Sequence, residues 1–306
     1  MPKFNILPER NEVENPSSAV GLGRFPSWLH RPLPKGGELF KTSKVLGDKQ
    51  LHTVCEEAKC PNLLECWSKK TATFLVMGKE CTRACGFCDI DHAKAPLPLE
   101  LDEPVRVADS VVTLGLEHVV ITMVARDDLE DGGANHIKLV TEEIRKVAPK
   151  TTIEILTSDL EGNEKALDII IEARPDIFNH NIETVERLTP RVRHKATYRR
   201  TLKVLSYMKP YLRYIKSGLM VGLGETQDEV EKTLNDLYQV GVEIVTMGQY
   251  LQPNARKLRV KSFVHPDTFN SYKQLGNDIG IPHMYCGPFV RSSYNAKDVF
   301  QWTKSR

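Results

Sequence analysis

The chain has 306 residues, 41% of them hydrophobic and 27% charged, with a formal net charge of +2. This balance excludes a disordered chain and provides no overall field that would draw the protein to nucleic acid. The longest largely apolar run, 119–125, falls far short of the ~18 residues of a membrane span, so neither a membrane nor nucleic acid is an expected partner.

The opening segment, MPKFNILPERNEVENPSS, carries Glu9, Glu12 and Glu14 and has no apolar core, unlike a secretory or transit signal. The expected location is cytoplasmic, where thiols stay reduced. Seven cysteines in that setting predict metal or redox chemistry before disulfides. Six of them fall between 55 and 88, and Cys286 stands apart as a buried structural cysteine.

Residues 1–70 are rich in Pro, Gly, Lys and Glu and read as an N-terminal extension. Within it lies a C-x4-C-x5-C triad, Cys55, Cys60 and Cys66. Three thiolates suit three irons of a cubane cluster, leaving one iron to find another ligand. Buried small hydrophobes on a helix would also explain them. From 71 to about 280, β-rich runs at 71–77, 118–124, 151–156, 176–182, 214–222 and 243–250 alternate with helical patterns at 104–115, 133–147, 163–173, 197–208, 227–240 and 267–279. This alternation predicts right-handed βα units around a parallel sheet. The expected fold is α/β, a partial (β/α)6 TIM-like barrel with N- and C-terminal extensions, the latter spanning 281–306. Its chemistry is expected at the C-terminal ends of the strands.

Directly after the first strand come Cys81, Cys85 and Cys88, spaced C-x3-C-x2-C. Three thiolates on so short a loop suit a cubane cluster with one open iron. Such an iron can chelate the amine and carboxylate of S-adenosylmethionine and pass an electron to its sulfonium, releasing a 5′-deoxyadenosyl radical. A zinc knuckle is the competing reading, but it wants four ligands at paired spacing, and only His92 is nearby to complete one. The spacing, with Phe87 before the last cysteine, is similar to that of the radical S-adenosylmethionine superfamily.

The segments TVCEEAKCPNLLECW, CTRACGFCDI, ARDDLEDGGA, NHNIET, KSGLMVGLGET and VRSSYNA resemble, in order and approximate spacing, those of the lipoyl synthase family. The resemblance runs from about residue 24 to 296 and implies the following expectations. Two 4Fe–4S clusters and S-adenosylmethionine are the cofactors. Cys81, Cys85 and Cys88 hold the radical-generating cluster, and Cys55, Cys60 and Cys66 hold an auxiliary cluster that supplies sulfur. Ser293, in Arg291-Ser292-Ser293-Tyr294, is the fourth auxiliary ligand, and Arg291 and Ser293 are the catalytic residues of that motif. The reaction inserts sulfur at C6 and C8 of an octanoyl group on a lysine of a lipoyl carrier domain, of a 2-oxoacid dehydrogenase E2 or a glycine cleavage H protein. An electron donor such as flavodoxin or ferredoxin and an iron–sulfur carrier for cluster repair are the other partners. Two departures touch only the substrate side: Asn295 replaces a frequent His, and Met123 and Ala125 interrupt a usual Thr-Ser-Val-Asp.

For S-adenosylmethionine itself, the candidates at strand ends are Phe87, Asp128, Asn181, Glu183, Gly222, Leu251 and Gln252. Glu183 suits ribose hydroxyls, Gly222 and Gly224 suit close backbone approach, and Leu251 with Gln252 suits an adenine wall. Between Glu186 and Glu225 stand ten Lys and Arg residues and no acidic ones. A solvated helical face explains this, as does a docking surface for an acidic carrier protein. Another radical sulfur-inserting enzyme, or a zinc-bound RNA-binding module, remains open to the residues alone.

Overall fold

The structure, a computed structural model, describes residues 25–30, 38–68 and 73–293. Helix α1 (Glu38–Asp48) leads into the short strand β1 (His52–Thr53), and helices α2 (Val54–Glu57) and α3 (Leu63–Ser68) carry the chain on to β2 (Thr73–Val76). Strands β3 (Glu80–Cys81) and β4 (Asp91–His92) form a small ladder around the second cysteine loop. Then strands and helices alternate: α4 (Glu103–Leu114), β5 (His118–Met123), α5 (Ala134–Val147), β6 (Thr152–Leu156), α6 (Glu164–Glu172) and β7 (Ile177–Asn179). The rest follows as α7 (Thr189–Val192), α8 (Tyr198–Met208), β8 (Tyr214–Val221), α9 (Gln227–Gln239), β9 (Ile244–Gln249), α10 (Pro266–Ile279) and β10 (His283–Gly287).

The main sheet runs β1-β2-β5-β6-β7-β8-β9-β10. β1 is antiparallel to β2, and every later pair is parallel. The end strands β1 and β10 do not pair with each other, so the barrel stays open on one side, the partial form that the alternation predicts. The central strands β5 and β9 are buried along their whole length, as parallel strands covered by helices must be. Side chains set the helix starts. Asn163 caps α6, Thr197 caps α8, and Thr226 with Glu229 closes a capping box on α9.

Three differences from the sequence reading have local causes. A seventh parallel strand, β10, follows the last helix; its five residues are too few to show a period and are held by pairing from His283↔Ile244 to Gly287↔Gly248. Helix α1 forms in a stretch with little visible pattern, where Leu46 is buried and Thr42 donates to the Trp67 carbonyl at 3.2 Å. The fourth barrel strand stops at Asn179 because the chain turns inward there, reaching a left-handed φ of 66° at Glu183, which bridges to Leu219 instead.

Candidate active site

The downstream cysteine loop is pinned on every side. Thr82 donates its N–H to the Ala125 carbonyl at 3.0 Å and accepts the Asp127 N–H at 3.0 Å. Gly86 donates to the Val192 carbonyl at 2.8 Å and accepts from the Leu258 N–H at 2.9 Å. A Cβ at Gly86 would sit 3.0 Å from the Leu258 side chain and 3.1 Å from the Arg191 carbonyl, so the packing here is tight and favours glycine. Arg83 is 6% exposed; it reaches Asp127 at 2.7 Å on one side and Asp159 at 2.7 Å on the other. Burial pushes the Asp159 carboxyl upward, but Arg83 and His180 outweigh it and hold the group below its ordinary range.

The upstream triad is built from turns. Thr53 caps the short helix that carries Cys55, Lys59 adopts a left-handed φ of 49°, and the Cys60 N–H donates to the Cys55 carbonyl at 3.0 Å. The Cys66 N–H donates to the Asn62 carbonyl at 2.9 Å. Two contacts join this segment to the rest of the site. The Lys59 ammonium meets Asp89, the residue after Cys88, and the Asn62 amide donates to the Phe289 carbonyl at 2.7 Å.

After β10, residues 288–293 cross the strand ends. A Cβ at Gly248 would lie 1.9 Å from the Val290 carbonyl oxygen, so only a glycine in β9 lets the crossing segment lie down. The result is one cavity of about 580 Å³ at the C-terminal ends of the strands, lined by Cys60, Cys81, Cys85, Cys88 and by Arg291, Ser292 and Ser293. Phe87, Asn181, Glu183, Leu251 and Gln252 line it as well. Cys55 is buried in the core, and Cys66 is partly buried against it. Tyr294 and Asn295 lie outside the described residues.

Two expected cofactor residues lie elsewhere. Asp128 is held by Arg126, with contacts at 2.8 and 2.9 Å, and lines a separate cleft. Gly222 has a left-handed φ of 97° and makes room for protein, since its Cβ would meet Gln249 at 2.2 Å and the Ser262 carbonyl at 2.5 Å. The basic stretch is mostly not a free surface. Seven of its ten cations hold carboxylates: Arg187, Lys195, Arg199, Arg200, Lys203, Lys209 and Lys216. Arg193 is buried, donating to the Asn181 carbonyl at 2.8 Å and to Thr201. Arg213 lies over the Tyr214 ring.

The chemistry of the cavity suits soft metal and a charged nucleoside. Burial, with neighbouring thiols adding to it, pushes Cys85 up to about 11 and Cys55 up to about 12; burial pushes Cys88 up to about 12. Such thiols give up their protons to a metal rather than to water. Three soft donors on one short loop suit a cubane cluster. The buried Asn181 Oδ1 has no partner and sits beside Glu183, whose carboxyl burial pushes up while Arg193 and Asn181 pull it down. A ligand bearing N–H and hydroxyl donors would satisfy both groups. Sequence reasoning missed Arg83, Lys59, Asp89 and Asn62, although all four lie within or next to the two cysteine motifs.

Comparison with known proteins agrees with this geometry. The model of the Radical SAM superfamily matches residues 75–237. A lipoyl synthase of Protochlamydia amoebophila is 67% identical over 298 residues, covering 96% of this chain and 92% of that protein. One from Chlamydia trachomatis serovar A is 53% identical, covering 96% of each. Among solved structures, methylornithine synthase matches with a TM-score of 0.54 at 13% identity, over 76% of this chain and 80% of that one. SuiB of Streptococcus suis bound to S-adenosylmethionine matches with a TM-score of 0.54 at 10% identity, over 74% of this chain and 53% of that one. These last two share the fold.

Proposed function

We infer that this chain, which belongs to the lipoyl synthase family within the radical S-adenosylmethionine superfamily, divides that family's two tasks between its two cysteine triads. The enzyme inserts two sulfur atoms, at C6 and C8, into an octanoyl group carried on a lysine of a lipoyl carrier domain, using S-adenosylmethionine and 4Fe–4S clusters. When bound, these cofactors supply the adenosyl radicals that remove hydrogen and the sulfide that replaces it.

Cys81, Cys85 and Cys88 hold the radical-generating cluster. Asn181, Glu183, Phe87, Leu251 and Gln252 hold S-adenosylmethionine against it; Gly222 serves that pocket from behind by seating Gln249. Asp128 acts only at a distance, through the loop it braces with Arg126. Cys55, Cys60 and Cys66 hold the sulfur-donating cluster, with Ser293 as its fourth ligand and Arg291 beside it. A serine oxygen is a hard ligand among soft thiolates and would be the weakest of the four holds on that cluster. The chain divides functionally near residues 70 and 280, although β1 and β10 share the barrel's sheet.

The supporting observation is the cavity that Cys60 of one triad, all three cysteines of the other, and Ser293 line together. The carrier is an E2 subunit or a glycine cleavage H protein, the electron donor is a flavodoxin or ferredoxin, and an iron–sulfur carrier rebuilds the consumed cluster. Among the described residues no helix is long and apolar enough to cross a membrane; chemistry that consumes reduced thiolate clusters belongs in the cytoplasm.

Anaerobic single-turnover assays on an octanoyl-lysine peptide test this division. Cys85→Ala should abolish 5′-deoxyadenosine release and retain one cluster. Cys60→Ala should keep 5′-deoxyadenosine release and lose sulfur insertion. Ser293→Cys should assemble both clusters yet insert sulfur poorly, and Ser293→Ala should lose most product. Native product yield from both Ser293 variants would remove the serine from the reaction.

A further inference from the structure

Of the described residues that line the large cavity, Phe25, Lys59 and Pro61 are the exposed ones, so they mark its mouth. The segment between β9 and α10 is fastened beside that mouth at both ends. At its start, the Asn254 amide donates to Asp89, the carboxylate that also holds Lys59. The Asn254 Oδ1 in turn accepts the Arg256 N–H at 2.8 Å. Toward its end, the Phe263 ring meets the Phe25 ring edge-on, with centroids 5.8 Å apart. Between these points the Leu258 N–H donates to the Gly86 carbonyl at 2.9 Å, and the Tyr250 hydroxyl donates to the Leu258 carbonyl at 2.7 Å.

This fastened segment is strongly basic. From Leu251 to Pro266 the chain carries Arg256, Lys257, Arg259 and Lys261 and no Asp or Glu. Leu258 packs against the core and Val260 is buried, which leaves Arg256, Arg259 and Lys261 exposed and Lys257 half-buried. None of the four meets a carboxylate among the described residues. The longer basic stretch differs here, since carboxylates hold most of its cations. The acidic groups near Lys59 are already engaged: Asp89 holds Lys59 itself, Glu56 accepts from Thr53, and Glu57 meets His52. One side of the mouth therefore presents four positive charges without partners.

We propose that Arg256, Lys257, Arg259 and Lys261 are the docking surface for the lipoyl carrier domain, which meets them with an acidic face beside its octanoylated lysine. The inference rests on the functional reading above, in which the octanoyl group arrives on a folded partner. An arm tethered to a folded domain enters through the mouth, so the surface around the tethering lysine comes to rest on the rim. The octanoyl-lysine amide is uncharged, so the arm itself cannot match these cations, and the domain that carries it must. Exposed charges of this kind steer encounter with an acidic face, oppose a basic one, and are screened by salt. The segment's backbone is held at the cluster loop and at the N-terminal wall, so the four charges are fixed relative to the mouth before the partner arrives.

The test compares the loaded wild-type enzyme with the double variant Arg256→Glu, Arg259→Glu. The probes are an octanoylated E2 lipoyl domain, the same domain with the acidic residues around its lysine changed to amides, and an uncharged octanoyl-lysine peptide. A second variant, Lys150→Glu, Arg174→Glu, makes the same change in net charge just before β6 and β7, at the opposite end of the barrel. We expect the first variant to lose about tenfold in affinity for the native domain and in kcat/KM on it, with wild-type affinity falling toward the variant's as salt rises. The amide form of the domain should bind wild type about as weakly as the native domain binds that variant. Turnover of the peptide by the first variant, and binding of the native domain by the second, should stay within about twofold of wild type. Unchanged affinity for the native domain in the first variant would overturn the proposal. An equal loss on the peptide would also overturn it, because the segment would then shape the cavity, as would an equal loss in the second variant, which would make net charge the cause. A wild-type enzyme that inserted no sulfur into the peptide would instead overturn the underlying functional reading.

Discussion

The Lys59 ammonium lies 2.7 Å from the Asp89 carboxylate, and this ion pair joins the two cysteine triads. Lys59 immediately precedes Cys60, and Asp89 immediately follows Cys88. Asp89 is nearly buried and also accepts from the Asn254 amide. Because Lys59 is largely exposed, its removal should cost at most ~1 kcal/mol of stability. Its larger effect should be on coupling. In Lys59→Ala, more 5′-deoxyadenosine should form per lipoyl product, because the sulfur site loses its fixed distance from the radical site. Equal stoichiometry in variant and wild type, read by mass spectrometry, would show the pair to be ornamental.

Gly248 offers a sharper test of the C-terminal crossing. Gly248→Ala places a methyl group 1.9 Å from the Val290 carbonyl oxygen. Overpacking of this kind costs ~1–3 kcal/mol when the neighbour can move. The barrel should survive and the crossing segment should lift, taking Ser293 from the cavity. We expect retained 5′-deoxyadenosine release, retained secondary structure by circular dichroism, and little sulfur insertion. Wild-type product yield would mean that the segment tolerates displacement.

Arg83 is the buried keystone of the cluster loop, with Asp127 and Asp159 on its two sides. Arg83→Ala would leave the fully buried Asp159 without its nearest cation and should cost ~3–5 kcal/mol. Arg83→Lys keeps the charge but not the fork that spans both carboxylates. It should fold, with a lower urea midpoint and slower cluster loading. A Lys variant indistinguishable from wild type in both measurements would show that charge alone suffices.

Acid should weaken the fold through two buried histidines. Burial lowers His118 to about 4, with Lys216 adding to the shift and Glu154 opposing it. Burial lowers His180 to about 4 as well, and the adjacent Arg193 reinforces it. Both groups sit near 6.5 in the unfolded chain, so between pH 6.5 and 4 the unfolded state binds more protons. Stability therefore falls as pH drops through that window, by up to ~3 kcal/mol per histidine. The double variant His118→Asn, His180→Gln should be less stable at neutral pH yet lose less on acidification. Parallel urea midpoints of variant and wild type at pH 7 and pH 5 would refute the assignment.

The two cysteine triads, and the family that they mark, were legible in the sequence because their spacing is a local feature of short loops. The six barrel strands were legible for a similar reason, since each buried run carries its own pattern. What escaped depends on distant partners. Arg193 reads as one of a run of surface cations, yet Asn181 and Thr201 receive it in the interior. Lys216 belongs to the same run and is fully buried, because Glu154, 62 positions earlier, accepts it with both oxygens at 2.9 Å. Asp128 follows the second barrel strand as a cofactor residue should, but Arg126 two positions before it turns the carboxylate away. Gly222 reads as a ligand contact because glycine permits close approach, and the approach is made by Gln249 and Ser262.

The hydrogen bond from Asn62 to Phe289 spans 227 positions of chain, and this separation imposes an order on biogenesis. A nascent polypeptide folds from its N-terminus as it leaves the ribosome. The loop of Cys81, Cys85 and Cys88 has its last backbone tether once Leu258 emerges to bond Gly86. The upstream cysteines must wait for β10 to pair and for residues 288–293 to be threaded across the strand ends. The Ser293 side of the cavity is thus the last part of it to be assembled, once residues 288–293 have crossed the strand ends.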